Sequence, residues 1–481
     1  MKNENRKSGL RCLTAIRGLA SAVDAVWSLT GLLVAAALVL SPTTARAVPS
    51  FARQLNLQCT ACHTSFPMLN QFGRTFKLTG YTESADAADL PPPLAAMLMP
   101  SFTQTSAPQA GGAAPGFGEN NNTALTQASI FYAGRLFGPY AKGLFGSEGA
   151  TIANKFGIFA QVTYDGIGKA WSWDNLELRF ADKAAIKDHD VVYGAYLNNN
   201  PTLQDPWNST PAFGYPFSGS GLAPGPAAAT LIEGGLSQQV YGLGAYAMVD
   251  DRFYFDLGGY HTLPAHFQKA LGVDPTGETQ VPGLAPYWRF AYERPAGDGR
   301  WEFGTFGMSA STYPGRDPSE GTDRLTDFGL DTQYQLPTTH GDFMLMASWI
   351  HEQQSWDASV ALGNTANQSD SLDSCKLTAS YLHDKTYGLT VQYFSITGTT
   401  DTILYADSAT GSPNSDGFIF QADYLPFNKG TGPAFWPRSN VKFSLQYVSY
   451  NRFNGGRTNY DGAGAKASDN NTLYLEAWIA F

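Results

Sequence analysis

The sequence predicts an all-β chain: an antiparallel outer-membrane β-barrel of about sixteen strands carrying a small N-terminal plug. Three observations carry that prediction. Many stretches of 9 to 12 residues alternate apolar and polar side chains with period two. The connections between them alternate short and long. The composition is rich in Gly (50), Phe (30), Tyr (24) and Trp (10), with only 15% charged residues, which favours strands and turns over solvated helices. A half-buried sheet in water would show the same alternation, so the connection lengths decide between the two.

The chain opens on "MKNENRKSGLRCLTAIR", which is basic, followed by the apolar run "LTGLLVAAALVL" and then "TTARAVPS". About 12 apolar residues are too few for a membrane-spanning helix, which needs roughly 20. Ala45 and Ala47 flank Arg46 in the small-x-small pattern of a cleavage site, so residues 1–47 read as a signal peptide. Its removal takes six basic and two acidic residues away, leaving 25 basic against 39 acidic and a net charge of −14. That balance argues against nucleic acid as a partner and suits a cation. Cys12 leaves with the leader, Cys59 and Cys62 stand together, and Cys375 is alone, so no disulfide framework is expected.

Residues 95–481 supply the strands. "DNLELRFAD" puts Leu176, Leu178 and Phe180 on one face and Asn175, Glu177 and Arg179 on the other. "SNVKFSLQYVSY" sets Val441, Phe443, Leu445 and Tyr447 against Lys442, Ser444 and Gln446. Strands are expected to begin near residues 95, 124, 155, 172, 189, 237, 252, 285, 300, 324, 341, 371, 386, 416, 440 and 471. An even count is the rule for single-chain bacterial barrels, and it places both termini on the periplasmic side. "VDDR", "PAGDG", "PTTH" and "HDK" are short turns, whereas 199–235, 263–284, 355–370 and 398–415 are long loops; short periplasmic turns and long external loops are the barrel pattern. Segments 136–154 and 426–438 are longer than that pattern allows, and 165–171 is shorter. The final "NTLYLEAWIAF" aligns Leu473, Leu475, Ala477, Ile479 and Phe481 on one face and ends on an aromatic, as the closing strand of such a barrel does.

Between leader and barrel lies "QCTACHTSFP". Two cysteines, two spacers and a histidine form the attachment signature of one haem c, with thioethers from Cys59 and Cys62 and His63 as proximal iron ligand. A zinc knuckle or a redox dithiol would need further Cys or His nearby, or a thioredoxin-like context, and the sequence has neither. Residues 48–94 are too few to bury a macrocycle alone, so this monohaem segment is expected to plug the lumen. The histidines at 189, 340 and 383 fall at predicted periplasmic turns, His261 and His266 near an external loop and His351 near a strand top. Met68 follows His63 too closely to reach the opposite haem face. In "LAAMLMPSF", outward Leu98 and Phe102 turn Met97 and Met99 toward the lumen, which makes Met97 the first choice of distal ligand and Met99 the alternative; core packing is the plainer reading of both.

The run "AVPSFARQLNLQCTACHTSFPMLNQFGRTFKLTGY", residues 47–81, resembles the opening of the fused monohaem cytochrome-porin iron oxidases of the outer membrane of iron-oxidising bacteria, through its FARQ lead, CxACH motif, FP pair and FGR…FK…GY continuation. The resemblance implies an oxidoreductase in outer-membrane lipid. It would oxidise extracellular Fe(II) through a haem held by Cys59, Cys62 and His63 and pass the electron to a periplasmic c-type cytochrome or blue-copper protein. Hard oxygen ligands suit transient Fe(II), so inward Glu177, Asp327 and Asp331 are candidate docking acids, with Glu83, Asp86 and Asp89 in the plug-to-barrel connection. Solvated lumen charge is the plainer reading of each. A solute-conducting porin with a haem sensor or structural plug, and a conduit for another donor, are the alternatives. Cys375 alternates onto the lipid face with Leu377 and Ala379 as an apolar filler.

Overall fold

The computed structural model describes residues 50–481 other than 56, 66, 85–92, 213, 215–216, 273–278 and 430–438. The leader, Asp86 and Asp89 therefore lie outside the described residues. Sixteen long strands form the wall: β1 (Leu94–Thr105), β2 (Asn122–Arg135), β3 (Phe156–Asp165), β4 (Ala170–Ile186), β5 (His189–Asn198), β6 (Val240–Val249), β7 (Phe253–Thr262) and β8 (Ala285–Ala296). The second half is β9 (Gly299–Pro314), β10 (Asp323–Thr338), β11 (Gly341–Ser355), β12 (Ser369–His383), β13 (Tyr387–Gly398), β14 (Ser415–Tyr424), β15 (Asn440–Arg452) and β16 (Thr472–Ala480). Each begins within three residues of its expected position. Every strand pairs antiparallel with its sequence neighbours, and β1 also pairs with β16, Met97 opposite Ala480 and Thr105 opposite Thr472, which closes the cylinder and removes every open edge.

The period-two pattern sets what faces out. On β6, Tyr241 and Leu243 are exposed while Tyr246 and Met248 are buried. Leu257, Leu389, Leu377 and Leu445 continue an apolar outer surface too extensive for a protein bathed in water, and lipid accounts for it. Among the described residues no helix is long and apolar enough to cross a membrane. Pro100, which has no N–H to give the ladder, sits at the one shift of register between β1 and β2. Tight turns join β4–β5, β6–β7, β8–β9, β10–β11 and β12–β13 at one end, where the chain also enters β1 and leaves β16. In the three-residue β6–β7 turn the Arg252 N–H donates to Val249 O, and the two central residues of that turn, Asp250 and Asp251, both take positive φ, 54° and 51°.

The overlong segment 136–154 holds a helix, α4 (Ala141–Ala153), which packs on itself through Ala141, Ala150 and Ala153. Loop 199–239 is the main departure from expectation. It was expected outside the barrel, yet residues 198–210 are buried. The loop turns back into the lumen because its polar groups find partners there: Gln204 donates to Asp256 (2.9 Å), Ser209 to Asp331, and the Trp207 indole to Glu293 (2.5 Å).

Candidate cofactor site

Three short helices precede the barrel: α1 (Ser50–Leu55), α2 (Cys59–Cys62) and α3 (Gln71–Leu78). They lie inside the cylinder at the end where the chain enters and leaves it. Asn70 caps α3, accepting from the Gly73 N–H at 3.0 Å, and its amide donates back to Ala61 O at 3.0 Å, which ties the cysteine turn to the helix. Gly73 is needed at that contact, since a Cβ there would stand 2.2 Å from the Cys62 carbonyl oxygen.

Buried ion pairs fix the plug to the wall. Arg74 donates to Glu293 at 2.9 Å and to Gln335 at 2.6 Å. Tyr81 donates to Glu177 at 2.8 Å, beside the Arg179–Glu177 pair at 2.7 Å. The Arg135 guanidinium donates to Thr82 O, and Gln54 bridges Tyr81 O and the Arg135 N–H. Lys77 donates to Asp205 O (2.7 Å) and Asn208 Oδ1 (3.0 Å), so the inward loop seals the plug from above. Burial, and then the neighbouring Arg179, bring the Lys77 ammonium down to about 7.

Plug and wall enclose a cavity of ≈ 210 Å³. Its lining joins Cys59, Cys62, His63, Lys77, Tyr81 and Phe76 of the plug to Met97, Phe131, Phe159 and Trp478 of the wall and Asn208 of the loop. His63 Nδ1 lies 2.8 Å from Pro67 O, which fixes the tautomer with the proton on Nδ1 and the lone pair on Nε2. Burial pushes the His63 imidazolium down and the Cys62 thiol up to about 12, the latter helped by Cys59, so imidazole and thiol are both held uncharged. The two cysteines are not bridged.

Of the expected site residues, Cys59, Cys62, His63 and Met97 come together in this cavity. Met99 also faces inward, 4% exposed, but lies one step further along β1 and does not line it. The donor set suits a haem c: two thiols and an imidazole on the plug, a thioether on the wall, and an almost wholly apolar lining. The three docking acids do not converge. Glu177 is committed to Arg179 and Tyr81, and Asp331 to both Nη atoms of Arg289 at 2.8 and 2.9 Å. Asp327 accepts the Ile232 N–H at 2.8 Å, four strand residues or roughly 13 Å from Asp331. Among the described residues no group of three or more His, Cys, Asp or Glu side chains is arranged to hold an ion. Cys375 faces outward between Ser374 and Lys376, as its alternation implied.

Sequence reasoning missed Asn208, Trp207 and Asp205. Each sits in a polar run with no periodicity, and the only signal was a tryptophan among otherwise loop-like residues.

No family model and no curated protein sequence matches the chain. Among solved structures it is similar to OmpF of Salmonella typhi in complex with daunomycin, at 12% identity over 81% of this chain and 97% of that one, TM-score 0.43. It is also similar to the outer-membrane channel DcaP of Acinetobacter baumannii, at 8% over 81% and 96%, TM-score 0.43. OmpT of Vibrio cholerae matches at 10% over 81% and 96%, TM-score 0.37. At these values the likeness is one of fold only.

Proposed function

We propose that this chain is a bacterial outer-membrane cytochrome c that oxidises extracellular Fe(II) and hands the electron to a periplasmic c-type cytochrome or blue-copper protein, with the tight turns and both termini on the periplasmic side. The observation that carries the reading is the apolar cavity in which Cys59, Cys62 and His63 share walls with Met97. Haem c held there by Cys59, Cys62 and His63, with the Met97 thioether on the facing wall, would supply a one-electron acceptor within the membrane wall. A thioether has no proton to gain, so Met97 keeps its lone pair in acid. The Pro67 carbonyl orients the imidazole, the aromatic lining excludes water, and the 47–81 resemblance supplies the donor and the direction of flow. The donor gives up one electron and leaves as Fe(III) outside the cell.

The test is direct. Purified full-length protein mixed with ferrous sulfate at acid and neutral pH should develop reduced haem absorption bands. Bands that appear with dithionite but at neither pH with ferrous salt would overturn the donor assignment. Met97→Ala should change the spectrum of the oxidised protein, whereas Met99→Ala should leave it as in wild type.

A second reading, a solute-conducting porin, has its own observation. A cavity of ≈ 510 Å³ runs beside the inward loop along β11 to β15, its lining mixing Ser348, Ser374, Thr378, Gln392 and Gln446 with apolar side chains such as Met346, Ile350 and Phe394. Planar-bilayer recording separates the two: the electron-conduit reading expects little ionic current, and steady open-channel current would favour the porin.

A further inference from the structure

We propose that Lys442 raises the reduction potential of the group held by Cys59, Cys62 and His63, acting through Trp478; this rests on the cytochrome reading. β15 runs beside the cysteine turn, and the Asn440 side chain lies close to the Cys59 thiol. Lys442 is two residues further along the same inward face and is 1% exposed. Its ammonium stands 4.9 Å from the centroid of the Trp478 ring, its cross-strand partner, and Trp478 lines the cofactor cavity.

Among the described residues that charge has no anion paired with it: no carboxylate forms an ion pair with Lys442. The inward acids of the two flanking strands are engaged elsewhere: Asp423 accepts from Ser444 (2.6 Å) and Gln421 (2.9 Å), and Glu476 accepts from Ser218 (2.6 Å) and Tyr474 (2.8 Å). Among the described lining residues the only basic side chain apart from His63 is Lys77, and no carboxylate lines the cavity. A desolvated ammonium is costly, and an indole face compensates it only in part. Its position therefore has a consequence for whatever shares the space. A positive charge close to a redox centre in a low-dielectric site favours the state holding one more electron, and so lifts the potential. An acceptor for electrons from ferrous iron in acid needs such a lift, because the ferrous ion is a weak reductant there.

Full-length protein in detergent would first be tested for covalent haem by its alkaline pyridine spectrum, then titrated potentiometrically as wild type, Lys442→Met, Lys442→Gln and Lys442→Arg. The two neutral variants should titrate at a lower midpoint than wild type, and Lys442→Arg close to it. Because the charge is buried, the difference should persist at high salt. Heat-modifiable gel mobility reports barrel assembly, so if Lys442→Met fails to assemble, Lys442→Gln and Lys442→Arg still decide the matter. A wild-type chain without the pyridine bands would end the cytochrome reading itself. Bands intact, with the neutral variants titrating at the wild-type midpoint, would overturn the role of Lys442 alone.

Discussion

The two halves of the lumen are built differently. Along β4 to β10 a cluster of buried charges stands among aromatic side chains: Glu177, Arg179, Arg289, Glu293, Glu302 and Asp331, mostly paired with the plug, the inward loop or one another. Along β11 to β15 the buried charges Glu352, Asp370, Asp423 and Lys442 stand apart from one another among mainly neutral side chains that leave a cavity of ≈ 510 Å³, with Lys376–Glu233 (2.5 Å) as an ion pair that reaches the loop. The contrast shows what charge does inside this barrel. Where a segment must be held in one place, ion pairs anchor it; where the lumen stays open, charges are sparse and spread out.

Breaking the charged half should have the largest effect. Arg289 lies 3.0 Å from Asp205 and 3.2 Å from Glu302 besides donating two hydrogen bonds to Asp331. Arg289→Met leaves those carboxylates buried without their cation, at a cost of about 3–5 kcal/mol. Loss of the heat-resistant gel band, or a marked fall in unfolding midpoint, checks it.

A smaller effect is expected where plug and wall touch without charge. A Cβ at Gly157 on β3 would stand 1.6 Å from the Gly80 carbonyl oxygen of the plug. Gly157→Ala should cost ~1–3 kcal/mol by overpacking and open the plug to protease, read as cleavage within residues 50–84 while the barrel stays intact.

Asp401 sharpens the comparison from the loop end, where one buried carboxylate clamps two loops using neutral donors alone. Burial would raise it, but the Thr365 hydroxyl and the N–H groups of Leu404, Asn367 and Ile403 outweigh that and hold it at about 2. Its folded value is below the ordinary 3.8, so the stability it contributes is complete above pH 3.8 and is lost as pH falls through about 2. Loop 399–414 should therefore stay protected from acid protease down to that range in wild type and lose protection in Asp401→Asn at any pH. In the sparsely charged half, Thr378→Ala removes one acceptor from Gln392 (2.8 Å) and should cost about 1 kcal/mol or less, with plug protection unchanged.

The wall was legible because period two and tight turns are local signals. Leu98 facing out was enough to turn Met97 inward, and CTACH was enough to propose the plug's cargo. What escaped was decided by distant partners. Nothing local in "NPTLQDPWNST" distinguishes a loop in water from one whose Asp205, Trp207 and Ser209 meet an arginine and two acids across the lumen. Glu177 and Asp331 looked available for an ion because their arginines were not yet in place; only Arg179, two residues from Glu177 on the same strand face, could have warned of it. Helix α4 was hidden in the same way, although the excess length of 136–154 for a turn was the hint.

The closing strands carry a consequence for biogenesis. Asn440, Trp478 and Ala480 belong to the last two strands of the chain, and they meet Cys59 and Met97 only when β16 docks on β1. The cavity is thus the final product of maturation and not an early one. Any group joined to Cys59 and Cys62 beforehand would wait in water until the seam zips shut, and a chain stopped a dozen residues short would leave both cysteines without that shelter.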